Sequence, residues 1–190
     1  MIAAGLPAPA LAGQPLFGLR VNGAAALKQV EVNGLLVVFL KYPGSSVTRE
    51  TLAHLDGALP TLELRGIAVV AVLPGDEAAA RDLVCRLQIV HPVLHDPDDA
   101  HRARWGVEAG ATRPSLRVLP RLVSPSRGLP DWRRRAMRVE AALLDTSGLV
   151  RWTWCAPSSY TALNPEALSR AVDHLFPDTT GISHVLSPEL

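Results

Sequence analysis

Two runs of consecutive apolar residues dominate the pattern. Residues 35–40 read Leu-Leu-Val-Val-Phe-Leu between Gly34 and Pro43, and residues 67–73 read Ile-Ala-Val-Val-Ala-Val-Leu before Pro74-Gly75. A continuous apolar run of this length, closed by turn residues, is the signature of a strand buried on both faces of a parallel sheet. Between them Leu52, Leu55, Leu59 and Leu62 recur at helical spacing. Thr48 is the expected cap of that helix and Glu50 the acid of its first turn. Pro60 is expected to end or bend it near Leu59. Asp76 is placed to cap a second helix running to about Gln88. Residues 92–94 form a short strand candidate and residues 96–105 a short helix opening Asp-Pro-Asp-Asp. Residues 138–144 and 149–155 predict a hairpin around Asp145-Thr146-Ser147-Gly148. A last helix over 165–176 has Asn164 as cap and Pro165 at its first position.

The order is strand, helix, strand, helix, then a hairpin and a closing helix. Alternation implies parallel strands, and the hairpin adds an antiparallel edge. This predicts an α/β, thioredoxin-like fold: a central mixed β-sheet flanked by helices on both faces. Residues 15–33 would supply a short hairpin ahead of the core. The expected organisation is one domain over 1–176, with an Arg/Pro-rich insertion near 111–137 and a flexible tail over 177–190.

Composition narrows the class without naming an activity. The chain has 190 residues, 48% of them hydrophobic, with a net charge of +1. That excludes a disordered chain and argues against one devoted to nucleic acid. The apolar runs are far short of the roughly 18 residues a membrane span needs. The amino terminus has no basic residue ahead of an apolar run, so a cytoplasmic location is expected. Charge is uneven, however. Residues 101–151 hold eleven Arg and four acids, and the rest of the chain is net acidic.

The ordered segments resemble the peroxiredoxins of the AhpC/TSA group, within the thioredoxin-like superfamily. Leu6-Pro7-Ala8-Pro9 with Leu16-Phe17-Gly18-Leu19 is similar to that family's leader. Residues 37–44, Val-Val-Phe-Leu-Lys-Tyr-Pro-Gly, are similar to its central strand and the opening of its active loop. Residues 66–72 are similar to its second strand. Pro92-Val93-Leu94-His95-Asp96-Pro97-Asp98 followed by Trp105-Gly106-Val107, and the hairpin 142–151, are similar to its later segments. The resemblance implies an antioxidant oxidoreductase whose active-site loop is Tyr42, Pro43, Gly44, Ser45, Ser46, Thr48, Glu50 and Thr51.

The family's nucleophile is missing from that loop. Its Pro-x-x-x-Thr/Ser-x-x-Cys pattern, counted from Pro43, puts Val47 and Glu50 at the last two positions. A slip of one gives Thr48 and Thr51, and a thioredoxin-style pair would fall on Gly44 and Val47. No cysteine occurs between residues 1 and 84. The family's supporting Arg falls at Val139, with Arg138 one position off. Peroxide reduction needs a thiolate at a helix amino terminus, where the dipole and a nearby Arg lower its pKa. Hydroxyls do not ionise near neutral pH without a dedicated base. The leading expectation is therefore a divergent relative that has lost thiol peroxidase activity and acts by binding or regulation. One alternative is a thiol-dependent oxidoreductase using Cys85 or Cys155. Another is small-anion or ligand binding at the former loop 42–51, whose helix start is expected to carry a side-chain cap or a bound anion or water.

Each remaining candidate has a plain reading beside the functional one. Cys85 lies about 140° from Ala80 around its helix, off the apolar stripe, and reads as an inert thiol or a redox group. Cys155 ends a strand in which Val150, Trp152 and Trp154 would share one face and Arg151, Thr153 and Cys155 the other. Arg151 is then too far along the strand to activate Cys155. Whether the two cysteines pair depends on geometry. His91, His95, Asp96, Asp98, Asp99 and His101 have irregular spacing, and no metal or cofactor is expected. Arg133, Arg134, Arg135 and Arg138 offer an anion surface or a solvated excursion. No P-loop, dinucleotide fingerprint or nucleophile elbow is present. The sequence identifies no partner. A homodimer is compatible with the fold, whereas a membrane or nucleic-acid partner is not indicated.

Overall fold

The computed structural model describes residues 2–11, 15–17, 32–107 and 137–177. Within them the elements are β1 (Pro15–Phe17), β2 (Gly34–Phe39), α1 (Ser46–Leu64), β3 (Ile67–Pro74), α2 (Glu77–Leu87), β4 (Val93–Asp96), α3 (Ala100–Arg104), β5 (Glu140–Asp145), β6 (Val150–Cys155) and α4 (Pro165–Leu175). The sheet has the order β1-β4-β3-β2-β5-β6. β2, β3 and β4 run parallel, with Leu36 opposite Val69 and Ala71 opposite Val93. β5 and β6 add antiparallel on one side and β1 antiparallel on the other. This is the predicted mixed sheet of a thioredoxin-like fold. The segments expected as an insertion (111–137) and as a tail (177–190) lie outside the described residues, apart from Met137 and Pro177. Of the hairpin expected over 15–33, only β1 and the final residues, 32 and 33, are described.

β2 is continuously apolar because both of its faces are covered. Leu36, Val38 and Leu40 face one cluster, where α1 contributes Leu52, Leu55, Leu59 and Leu62, α2 contributes Leu83 and Val84, and α4 contributes Leu168 and Val172. Leu35, Val37 and Phe39 face the other, with Leu11, Trp105 and Val107. Among the described helices only the short α3 lies on this second side, completed by residues 2–11.

Several boundaries differ from expectation for identifiable reasons. α1 continues through Pro60, which is exposed, because the buried Leu59 and Leu62 on either side hold the helix against the sheet. The cap of α1 is Ser45; Thr48 is its third residue and Glu50 its fifth, so no acid stands in the first turn. β4 extends to Asp96 because His95 and Asp96 pair with Leu73 and Pro74. α3 is correspondingly shorter than 96–105. The Asp96 carboxylate accepts hydrogen bonds from the amides of His101 and Arg102 at 3.1 Å, doing the work of a cap from four residues upstream. A bulge between Leu143 and Leu144 changes the faces of β6. Val150 packs with Leu144 in the second cluster, whereas Trp152 and Trp154 pack on the first. Val150 therefore does not share a face with the two tryptophans. Asp76 caps α2 through the Ala79 amide, and Asn164 caps α4 through those of Glu166 and Ala167, as expected. Among the described residues, no helix is long and apolar enough to cross a membrane.

Candidate functional site

The carboxyl ends of β2 and β3, the end of β6 and the start of β5 meet at one edge of the sheet. The chain leaves β2 through Leu40, Lys41 and Tyr42 and turns at Pro43-Gly44. The Tyr42 carbonyl accepts from the Ser45 amide at 3.1 Å and from the Thr48 hydroxyl at 3.1 Å. Thr48 is thus committed to the turn. Gly75, at φ +102°, brings the end of β3 against this turn: a Cβ placed there would lie 3.4 Å from Cδ of Pro43. Any residue with a side chain would be strained at that φ. His95 fixes the same loop, its Nε2–H donating to the Gly75 carbonyl at 2.7 Å.

The start of α1 departs from the expected arrangement. Ser45 has the extended backbone of a cap, but its side chain makes no capping hydrogen bond. Gly44 and Ser46 are exposed, so the helix start opens to solvent. Glu50 is exposed in the second turn, where it does little for the first-turn amides. Thr51 is fully buried, and its hydroxyl accepts from the Leu163 amide at 3.3 Å. The segment between β6 and α4 is thereby laid along α1, and His54 adds a contact from Nδ1 to the Leu163 carbonyl at 2.9 Å.

Two cations missed by pattern reasoning lie close to this loop. Lys41 is 4% exposed. Its ammonium donates to the Ser159 carbonyl at 2.6 Å and sits 5.8 Å and 5.9 Å from the ring centres of Tyr42 and Tyr160. Burial lowers its pKa from the usual lysine value. The one sequence signal was a lysine at the end of a buried strand in a chain with only two lysines. Arg102 is 1% exposed and packs over the Phe39 ring. It donates to the Leu40 carbonyl at 2.6 Å and to the Arg138 carbonyl at 2.9 Å. Burial lowers its pKa, and the charges of Asp99, Glu140 and Asp96 oppose that. Arg102 therefore pins the end of β2 to the entry of β5. In the sequence it was one Arg among eleven in a basic stretch, with nothing to mark it as buried.

The cysteines are both exposed and unpaired. Cys85 lies on α2, which packs on the β4 and β1 side of the sheet, whereas Cys155 ends the opposite edge strand. Strands spaced about 4.8 Å apart put several strand widths between them, which excludes a disulfide within the chain. Cys155 stands opposite Glu140 in the sheet. Partial burial and then the Glu140 charge push its thiol up, while the charge of Arg138 pulls it down; the net shift is upward. Arg151 pairs with Asp145 in the hairpin instead.

The histidine and aspartate cluster separates into local roles. His91 faces Asp56, with Nδ1 to Oδ1 at 3.4 Å. His95 serves Gly75, and Asp96 serves α3. Asp98 is exposed, and Asp99 has a left-handed backbone. Among the described residues no group of three His, Cys, Asp or Glu side chains is placed to hold a metal ion. Of the expected anion surface, Arg133, Arg134 and Arg135 lie outside the described residues, and the exposed Arg138 faces Cys155.

Comparison with solved structures finds the same architecture in proteins of thioredoxin-like fold. The yeast mitochondrial 1-Cys peroxiredoxin matches with a TM-score of 0.68 and 12% identity, over 91% of this chain and 76% of its own. Peroxidoxin BcpB from Mycobacterium tuberculosis matches with a TM-score of 0.65 and 10% identity, over 90% and 96%. A secreted M. tuberculosis disulfide oxidoreductase homologous to E. coli DsbE matches with a TM-score of 0.57 and 16% identity, over 87% and 96%. At these identities the likeness is one of fold, the thioredoxin-like fold that the sequence predicts. No family description matches the sequence, and no curated protein does.

Proposed function

We propose that this chain is a thioredoxin-fold protein that acts by binding or regulation and carries no thiol peroxidase chemistry at its helix-start loop. The observation that carries the reading is the loop itself. Ser45, Thr48 and Thr51 stand at the start of α1 where a thiolate would be activated, and Thr48 and Thr51 are spent on structural hydrogen bonds. Cys85 is near the wrong edge of the sheet. Two exposed, unpaired thiols also favour a reducing compartment.

A second reading rests on Arg138, whose charge draws the Cys155 pKa down. It would make the chain a thiol oxidoreductase built on Cys155. The upward shift of that thiol weighs against it, because an unshifted cysteine is already only a few per cent thiolate at pH 7. Hydrogen peroxide consumption with dithiothreitol as donor separates the two. The wild type, Cys85→Ser and Cys155→Ser are expected to give the same background rate. Turnover in the wild type that disappears in Cys155→Ser would establish the second reading.

A further inference from the structure

β6 is an edge strand whose outer side is only partly covered. The Ala156 amide donates to the Val139 carbonyl, so Trp152, Trp154 and Ala156 turn their backbone groups toward β5. The N–H and C=O groups of Thr153 and Cys155 therefore point away from the sheet. Residues 5–8 guard the start of this edge. The Gly5 amide donates to the Val150 carbonyl, the Val150 amide to the Leu6 carbonyl and the Ala8 amide to the Gly148 carbonyl. The guard ends there, because the chain ahead of Gly5 crosses to α3, where the Ile2 amide meets the Trp105 carbonyl at 3.0 Å. Among the described residues nothing pairs with the outward donors and acceptors of Thr153 and Cys155. Such a row of free groups is a template for one more strand, and edges are ordinarily blunted with lysine or proline. Residues 152–155 read Trp-Thr-Trp-Cys instead.

The two faces of this edge differ. Trp152 and Trp154 are partly buried against the cluster under α1 and α4. They stand where an added strand would bring its side chains closest, with Cα atoms about 4.5 Å apart. Thr153 and Cys155 lie on the other face by strand alternation, and the charge of the exposed Arg138 acts on Cys155. Arg151, 47% exposed, heads the stretch. Glu140, opposite Cys155, is 4% exposed and already neighbours the Arg102 charge. A second copy of the chain fits this edge poorly. The antiparallel register that uses all of 151–155 is centred on Thr153. It sets Arg151 of each copy opposite Cys155 of the other, beside Arg138. Like charges facing one another destabilise a strand pair.

We propose that the free edge of β6 takes up an extended acidic segment of another protein as an added strand. Successive side chains of that strand fall on opposite faces. Its apolar residues would lie on Trp152 and Trp154, and its carboxylates opposite Thr153 and Cys155, beside Arg138. The stretch 151–155 offers roughly 17 Å of edge. This gives the binding reading above, on which it rests, a class of partner.

The test titrates a capped, fluorescein-labelled Glu-Val-Glu-Val-Glu-Val peptide with the whole protein and follows fluorescence anisotropy. Saturable binding is expected, at least tenfold tighter than that of the matching Lys-Val peptide. Thr153→Pro removes an outward N–H without touching the β5 ladder and should weaken binding at least tenfold. N-methylation of the peptide at its Glu residues removes the same pairing from the ligand side and should do likewise on unaltered protein. Arg138→Glu should reverse the preference between the two peptides. No saturable binding of the Glu-Val peptide, equal affinity for the Lys-Val peptide, or undiminished affinity of the N-methylated peptide overturns the proposal. So does a wild-type dimer in analytical ultracentrifugation that Thr153→Pro dissociates, since a second copy would then hold the edge. Peroxide turnover lost in Cys155→Ser would instead overturn the binding reading, whatever the peptides do.

Discussion

His91 illustrates how burial sets the chemistry of single residues here. Its side chain is 2% exposed and faces Asp56 of α1. Burial lowers its pKa below 6.5, and the charge of Asp56 recovers part of the shift but not all of it. Below pH 6.5 the unfolded chain therefore binds a proton that the folded chain refuses. Stability rises with pH through that window and is lost as pH falls from about 6.5 toward the folded value. One proton limits the slope to about 1.4 kcal/mol per pH unit. Urea unfolding at pH 7.5, 6.5 and 5.5 should show the wild type weakening and His91→Phe staying flatter. A variant as pH-sensitive as the wild type would show that another group carries the effect.

Among the elements, α1 contains the largest conflict between local rule and outcome. Proline inside a helix costs roughly 3 kcal/mol and removes one hydrogen bond of the ladder, here to the carbonyl four residues back at Asp56. Burying Leu55, Leu59 and Leu62 gains about 1.5–3 kcal/mol each, so packing wins and the helix runs on to Leu64. Because Pro60 is exposed and does not pack in the core, Pro60→Ala should stabilise the protein by about 1–3 kcal/mol in denaturant unfolding. An unchanged or lower midpoint would show that the helix is already adapted to the proline. What could be read from sequence follows the same division. β2, β3 and the caps Asp76 and Asn164 are legible because run length and capping are local signals. The course of α1 past Pro60, the β6 bulge and the capping of α3 by Asp96 are not, since each depends on a partner brought in by the fold. The candidate loop could be located from Pro43-Gly44. Its most unusual group, Lys41, owes its burial to Ser159 and Tyr160, more than a hundred positions downstream.

At the scale of the whole molecule, Arg102 joins the α3 side to the sheet by bonding the end of β2 and the entry of β5. Its removal leaves two carbonyls without donors and three nearby acids without their cation, so Arg102→Ala should cost about 3–5 kcal/mol. A thermal midpoint within 2 °C of the wild type would refute that role. The fold, by contrast, should be indifferent to introducing a thiol pair. Ser45 caps nothing with its side chain, and Thr48 gives up one hydrogen bond worth about 1 kcal/mol. The two positions have Cys-x-x-Cys spacing at the start of a 19-residue helix. There the dipole and the motif together bring a thiol pKa to about 7 in thioredoxin. If the scaffold of a redox protein survives and only the nucleophile is gone, Ser45→Cys with Thr48→Cys should acquire a thiol that titrates below 8.5. It should also reduce insulin disulfides with dithiothreitol faster than the wild type. An ordinary thiol pKa with no gain in rate would mean that the helix start has lost the activating geometry as well as the sulfur.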